Sequence, residues 1–156
     1  MARQIFSALM GIRYYKTMDI NEITYIINGA IFEVNKVLGH GFLEKVYENA
    51  LLKELNDRGL KAESQVPINV LYKETTVGEY LADILVERKV ILELKTVDRL
   101  DKIHEAQLMN YLKATGIQVG LLINFKHQKA EIKRIVFTLP EGHGDSRPAM
   151  SPGGKT

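Results

Sequence analysis

Asp83, Glu93 and Lys95 are three charged side chains set into two apolar runs, residues 82–86 and 90–94. An uncompensated charge inside a sheet costs roughly several kcal/mol unless a partner or a metal ion offsets it. Two carboxylates and a lysine converging there are therefore either a buried ion-pair cluster or a cation site with a lysine aimed at the reacting group. Metal-dependent phosphodiester hydrolysis needs this kind of set. Carboxylates hold a hard cation, and a further group orients the attacking water and stabilises the developing charge. Asp83 and Glu93 could bind the cation together with the backbone carbonyl of Leu94. Lys95 follows Glu93 by two residues, on the same strand face, so its ammonium could reach the water and the scissile phosphate. The chain has no cysteine, which excludes disulfides, thiolate metal sites and cysteine nucleophiles. A metal would sit on carboxylates, carbonyls or histidines, favouring Mg²⁺ or Mn²⁺ over zinc. His104, His127 and His143 show no ligand spacing, and His40, between two glycines, reads as a solvent-facing loop residue.

The elements that must position these groups follow from the same stretch. The two apolar runs flank Glu87-Arg88-Lys89 and predict a β-hairpin whose strands are central in a sheet. Register decides the site. A two-residue turn at Arg88-Lys89 would pair Asp83 with Leu94 and face it away from Glu93. A three-residue loop, or a bulge, puts Asp83 on the face of Glu93.

Upstream, Asp19 and Glu22 form a capping-box pattern, and apolar residues recur at helical spacing from Ile20 to Leu38. A second helix is predicted over 43–58, with Val46, Tyr47, Ala50, Leu51 and Leu55 on its apolar face. Residues 62–66 and 68–72 read as strands separated by Pro67, which suggests an edge strand or a bend. Further strands are predicted over 76–87 and 90–97. A helix capped by Asp98 or Asp101 runs to Gly116, with Ile103, Ala106, Leu108, Leu112 and Ala114 as its apolar positions. A buried strand over 119–125 would be parallel to its predecessor across that helix. A peripheral strand is expected over 131–139. The order predicts the α/β class: a mixed sheet flanked by helices, with two helices ahead of it.

The 156 residues, 46% hydrophobic and 26% charged, suit one soluble domain with a real core. Net charge is +2, with +3 contributed by residues 1–17 and none by 140–156, leaving −1 for 18–139. That core lacks the strongly basic footprint common in nucleic-acid binders. Residues 1–17 carry charge on both sides of a short apolar stretch, so no signal peptide is read. No apolar run approaches the ~20 residues of a membrane span. The expectation is a cytoplasmic protein with an N-terminal extension (1–17), one domain (18–139) and a disordered Gly/Pro/Ser-rich tail (140–156).

Asp83 with Glu93-Leu94-Lys95 on a hairpin resembles the core signature of the PD-(D/E)xK nuclease superfamily. The following helix carries Gln107-Leu-Met-Asn-Tyr111, which is similar to the QxxxY motif of the RecB-like branch. These two residues lie four apart on one helix face. Gly41-Phe-Leu-Glu44-Lys-Val-Tyr47 resembles the pattern that names the GxxExxY family. The resemblance spans about residues 19–139. It implies a restriction-endonuclease-like fold, Mg²⁺ or Mn²⁺ as cofactor, and nucleic acid, DNA ahead of RNA, as partner. It further implies that Glu44 is an extra carboxylate facing the metal, and that Gln107 and Tyr111 approach the metal and phosphate. A homodimer would help so small a domain grip a duplex.

Each motif has a plainer reading. Glu44 could be a solvated residue at a helix N-terminus, Tyr47 and Tyr111 packing residues with a bonded hydroxyl, Gln107 an exposed helix residue, and Glu93–Lys95 a structural ion pair. Lys126, Lys129, Lys133 and Arg134 form a local basic run that could touch phosphates or simply be a solvated surface. The alternative to a metal-dependent nuclease is a nuclease-like fold that serves as a binding or assembly module without turnover.

Overall fold

The computed structural model describes residues 17–139. The expectations for 140–156 and, apart from Thr17, for the N-terminal extension lie outside those residues. The first helix, α1 (Ile20–Leu38), starts at the capping box the sequence predicts. The Asp19 carboxylate accepts from the Glu22 N–H at 2.8 Å, and Glu22 accepts from the Asp19 N–H at 3.1 Å. It ends at Gly39, whose φ of +71° suits a residue without a Cβ. Helix α2 (Glu44–Asp57) follows after a short loop.

Five strands come next, with one helix among them: β1 (Ala62–Tyr72), β2 (Thr75–Val86), β3 (Val90–Lys95), α3 (Lys102–Thr115), β4 (Val119–Asn124) and β5 (Glu131–Val136). They form one five-stranded sheet in the order β1-β2-β3-β4-β5. β3 and β4 are parallel, joined across α3, and the other neighbours are antiparallel. This mixed α/β architecture is consistent with a restriction-endonuclease-like fold. Pro67 does not split β1. The strand is one edge element pairing only with β2, so a residue without an N–H is tolerated in it. Asp101, not Asp98, caps α3, in a second capping box closed by His104.

The sheet is covered on both faces. Val86, Val90, Leu92, Leu94, Leu121 and Ile123 pack with α1 and α2 in one core. Leu85, Ile91 and Leu122 pack with Leu108, Tyr111 and Leu112 of α3 in the other. The close seat of α3 depends on Gly120 in β4. A Cβ at that position would stand 2.8 Å from Leu108 Cδ1. Two apolar assignments on α3 are corrected: Ile103 and Ala106 are exposed, because the buried stripe of the helix runs instead through Leu108, Tyr111 and Leu112. A similar shift on α2 leaves Val46 largely outside and takes Glu48 in.

Candidate active site

The hairpin register is the one the site requires. Val86 pairs with Val90 and Ile84 with Leu92, so the loop is the three residues Glu87-Arg88-Lys89. Glu87 and Arg88 both have positive φ, and the Lys89 N–H closes the turn on the Val86 carbonyl at 2.9 Å. This is the strong local twist that a tight hairpin demands. The regular β2–β3 ladder stops at Ile84↔Leu92. Beyond it the Leu94 N–H donates to the Asp83 carboxylate at 2.7 Å. A strand residue's N–H and C=O point the same way. The Leu94 carbonyl therefore opens towards Asp83.

Glu93 and Lys95 share the α3 face with Ile91. Lys95 Nζ lies 3.4 Å from Glu93 Oε1 and 3.3 Å from Gln107 Oε1. Gln107 Nε2 in turn donates to the Tyr111 hydroxyl at 2.8 Å. One continuous polar line thus runs from the hairpin into α3. The Glu93 side chain is only 5% exposed, and its Oε2 is buried with no hydrogen-bond partner. Burial first, and then the neighbouring Asp83 charge, push the Glu93 carboxyl up to about 7, against the opposing pull of Lys95. Burial also raises Asp83, partly offset by the Leu94 N–H, with Glu48 and Glu44 adding to the rise. Tyr111 is raised by burial as well.

These features fit a hard divalent cation. The donors are all oxygen, one carboxylate oxygen is buried without a partner, and burial raises both carboxyls in a way that a nearby cation would reverse. Among the described residues no group of three or more His, Cys, Asp or Glu side chains is gathered as a ligand set. Glu44, in the first turn of α2, is exposed, yet close enough for its charge to act on both Asp83 and Glu93.

Glu48, one turn further along α2, was not singled out by the sequence and is the buried acid of this helix. Lys45 Nζ holds it at 2.7 Å, and Gln65 Nε2 reaches its two oxygens at 3.1 and 3.0 Å. Gln65 has φ +52°, an uncommon conformation for a side-chain-bearing residue, and sits where β1 passes Asp83. The signal was available: Glu48 falls between Tyr47 and Leu51 on the apolar stripe. Asn124 was also missed. Buried beside Lys95 in the β3–β4 pairing, it accepts from the Val97 N–H at 3.1 Å and donates to the Val97 carbonyl at 2.8 Å. It clamps the chain just after the lysine.

Tyr47 belongs to the core. Its ring stacks on Phe125 at 4.5 Å, and its hydroxyl donates to the Gly39 carbonyl at 2.9 Å while accepting from the Phe42 N–H at 3.3 Å. The hydroxyl therefore ties down the Gly39–Phe42 loop that leads into Glu44. The basic run does not form one patch. Lys133 and Arg134 are adjacent on β5 and point to opposite faces, Lys133 to Glu105 and Arg134 to Asn21. Lys126 pairs with Asp98 at 3.7 Å, and Lys129 is exposed.

Among the described residues no helix is long and apolar enough to cross a membrane. No curated protein matches the sequence. Among solved structures, the one described as the crystal structure of SSO0001 is similar, with a TM-score of 0.47 and 16% identity over 81% of this chain and 82% of that one. The model of the PD-(D/E)XK nuclease superfamily, whose members typically use divalent metals, matches residues 21–135. That match spans the hairpin, Gln107 and Tyr111 alike, and the chain belongs to the PD-(D/E)XK nuclease superfamily.

Proposed function

We propose that this chain is a metal-dependent phosphodiesterase of the GxxExxY kind, hydrolysing nucleic acid with Mg²⁺ or Mn²⁺. The observation that carries the reading is the buried Glu93 carboxylate, with one oxygen on Lys95 and the other on nothing. A purely structural ion pair would satisfy both oxygens, because an unpaired buried acceptor is costly. Asp83, Glu93 and the Leu94 carbonyl would hold the cation, and Glu44 would complete the set from α2. The bound ion would polarise the phosphate and lower the pKa of a water at neutral pH. Lys95 would orient that water and neutralise charge developing on the phosphate. Gln107, anchored by Tyr111, holds the lysine ammonium on its other side and limits its wander. The substrate class, DNA ahead of RNA, the cytoplasmic setting and a homodimeric grip belong to the same proposal.

The test has two readouts. Melting of the wild type and of Asp83→Ala, each with EDTA, Mg²⁺ and Mn²⁺, should show a metal-dependent rise in Tm in the wild type alone. Cleavage of labelled nucleic acids in Mn²⁺ should fall by about a hundred-fold or more in Lys95→Ala. Unchanged cleavage by purified Lys95→Ala protein would sink the catalytic assignment. No metal-dependent shift in the wild type, together with no cleavage, would favour the silent binding module.

A further inference from the structure

A cleft of about 640 Å³ lies between α3 and the outer half of the β1–β2 hairpin. Val70, Leu71 and Tyr80 line it from the strands, and Ile103, Ala106 and Tyr111 from the helix. Apolar surface is left in the open here: Ile103 is 71% exposed and Tyr80 51%. That is the reverse of what α3 would show if its outer face were only solvated. The cleft also adjoins the chemistry. Gln107 and Tyr111 line it, and Gln107 is the residue that bonds Lys95.

The Tyr80 ring is held ready. It lies beside Gly78, where a Cβ would come within 3.4 Å of its Cε2, and beside Tyr111, with ring centroids 5.7 Å apart and tilted by 47°. The rim carries Asn110 and Lys113, which can serve the edge of a planar polar ring and a flanking phosphate.

We propose that this cleft is a stacking pocket for one unpaired nucleobase next to the scissile phosphate, so that the preferred substrate is single-stranded or frayed nucleic acid. The inference rests on the nuclease reading above. Whatever phosphate reaches Lys95 carries a nucleoside on each side. A base paired within a duplex cannot enter a pocket walled by a helix and a hairpin. An unpaired base can, and every base offers a flat face to an aromatic ring. An exposed tyrosine already leaning on a glycine loses little freedom when a base stacks on it.

The experiment uses a short oligothymidylate with a central 2-aminopurine, alone and annealed to its complement, titrated with the full chain in Ca²⁺ and in EDTA. Stacking on an aromatic ring changes the 2-aminopurine fluorescence, so the readout does not need turnover. The wild type should bind the single strand about ten-fold or more tighter than the duplex, with the fluorescence change confined to the single strand. Tyr80→Ala should weaken single-strand binding by about ten-fold and abolish the signal, whereas Tyr80→Phe should restore both. Ile103→Glu, at an exposed position outside the core, should weaken single-strand binding as well, and it covers the case in which Tyr80→Ala does not fold. Equal affinity for the two forms overturns the proposal. So does single-strand binding untouched by Tyr80→Ala or by Ile103→Glu, the result expected if the cleft instead receives an apolar segment of another protein. The two readings fail separately. Tyr80-dependent binding without cleavage of any substrate would keep the pocket and remove the nuclease. Cleavage by wild type and Tyr80→Ala alike, on single and double strands alike, would keep the nuclease and remove the pocket.

Discussion

The two faces of β3 meet different surroundings. On the α1–α2 side Val90, Leu92 and Leu94 enter an apolar core along the whole strand, with Tyr47 stacked on Phe125 above them. On the α3 side Ile91 is apolar, but Glu93 and Lys95 follow it, and the helix answers with Gln107 and Tyr111. One face therefore holds the fold together. The other holds two raised carboxyls and an orphaned oxygen in place, which only a stable opposite face makes tolerable. The β3 strand end is thus a scaffold on one side and the candidate site on the other.

Substitutions can break this comparison. The largest effect is expected on the scaffold face. Tyr47→Ala should lower unfolding free energy by about 3–5 kcal/mol, measured by urea denaturation, because it empties a fully buried ring position. Tyr47→Phe keeps the stack and loses only the two loop hydrogen bonds, for about 1–2 kcal/mol. If both variants were as stable as the wild type, the scaffold role would be wrong.

The site face should show the opposite sign. Glu93 is raised from 4.5 to about 7 by folding. Below pH 4.5 it is protonated in both states and costs nothing. As pH rises through about 7 the unfolded chain gives up its proton first, so metal-free stability is lost progressively across that window. The loss should be on the order of 3 kcal/mol. Glu93→Gln should flatten this slope and be at least as stable as the wild type at pH 8 in EDTA. Added Mg²⁺ should stabilise the wild type more as pH rises through the same range, since the cation must displace the proton. A wild-type profile that is flat in EDTA between pH 4.5 and 8 would contradict the burial argument.

A smaller effect links the faces to their helix. Gly120→Ala places a methyl against Leu108 and should cost about 1–3 kcal/mol by overpacking. Because Gln107 precedes Leu108 on α3, the same change should loosen the lysine contact. Cleavage should then fall further than the change in Tm alone would suggest. Unaltered cleavage at a reduced Tm would show that the site tolerates a displaced helix.

Much of this was legible before the structure. The two apolar runs, the charged turn between them and the period of two along a strand put Glu93 and Lys95 on one face, and left Asp83 to the hairpin register, which the structure sets as a three-residue loop. Helical spacing likewise joined Gln107 to Tyr111. Both relations are local, so residue spacing settles them. The capping box of α1 is local too. Other features depend on partners distant in the chain. Glu44 and Glu48 lie one turn apart on nearly the same side of α2, and what separates them is what each turn meets. The second turn brings Glu48 under Gln65 of β1 and buries it, while Glu44 stays exposed in the first turn. The exposure of Ile103 and Ala106 depends on which stripe of α3 seats on the sheet, Leu108, Tyr111 and Leu112, and the outer hairpin then makes those two residues part of the wall of a cleft. The sequence by itself determined the chemical set and its spacing along each element. Only the tertiary structure decided which side chains are dry, unpartnered and in reach of one another, because burial and electrostatics are set by neighbours that the chain brings together only on folding.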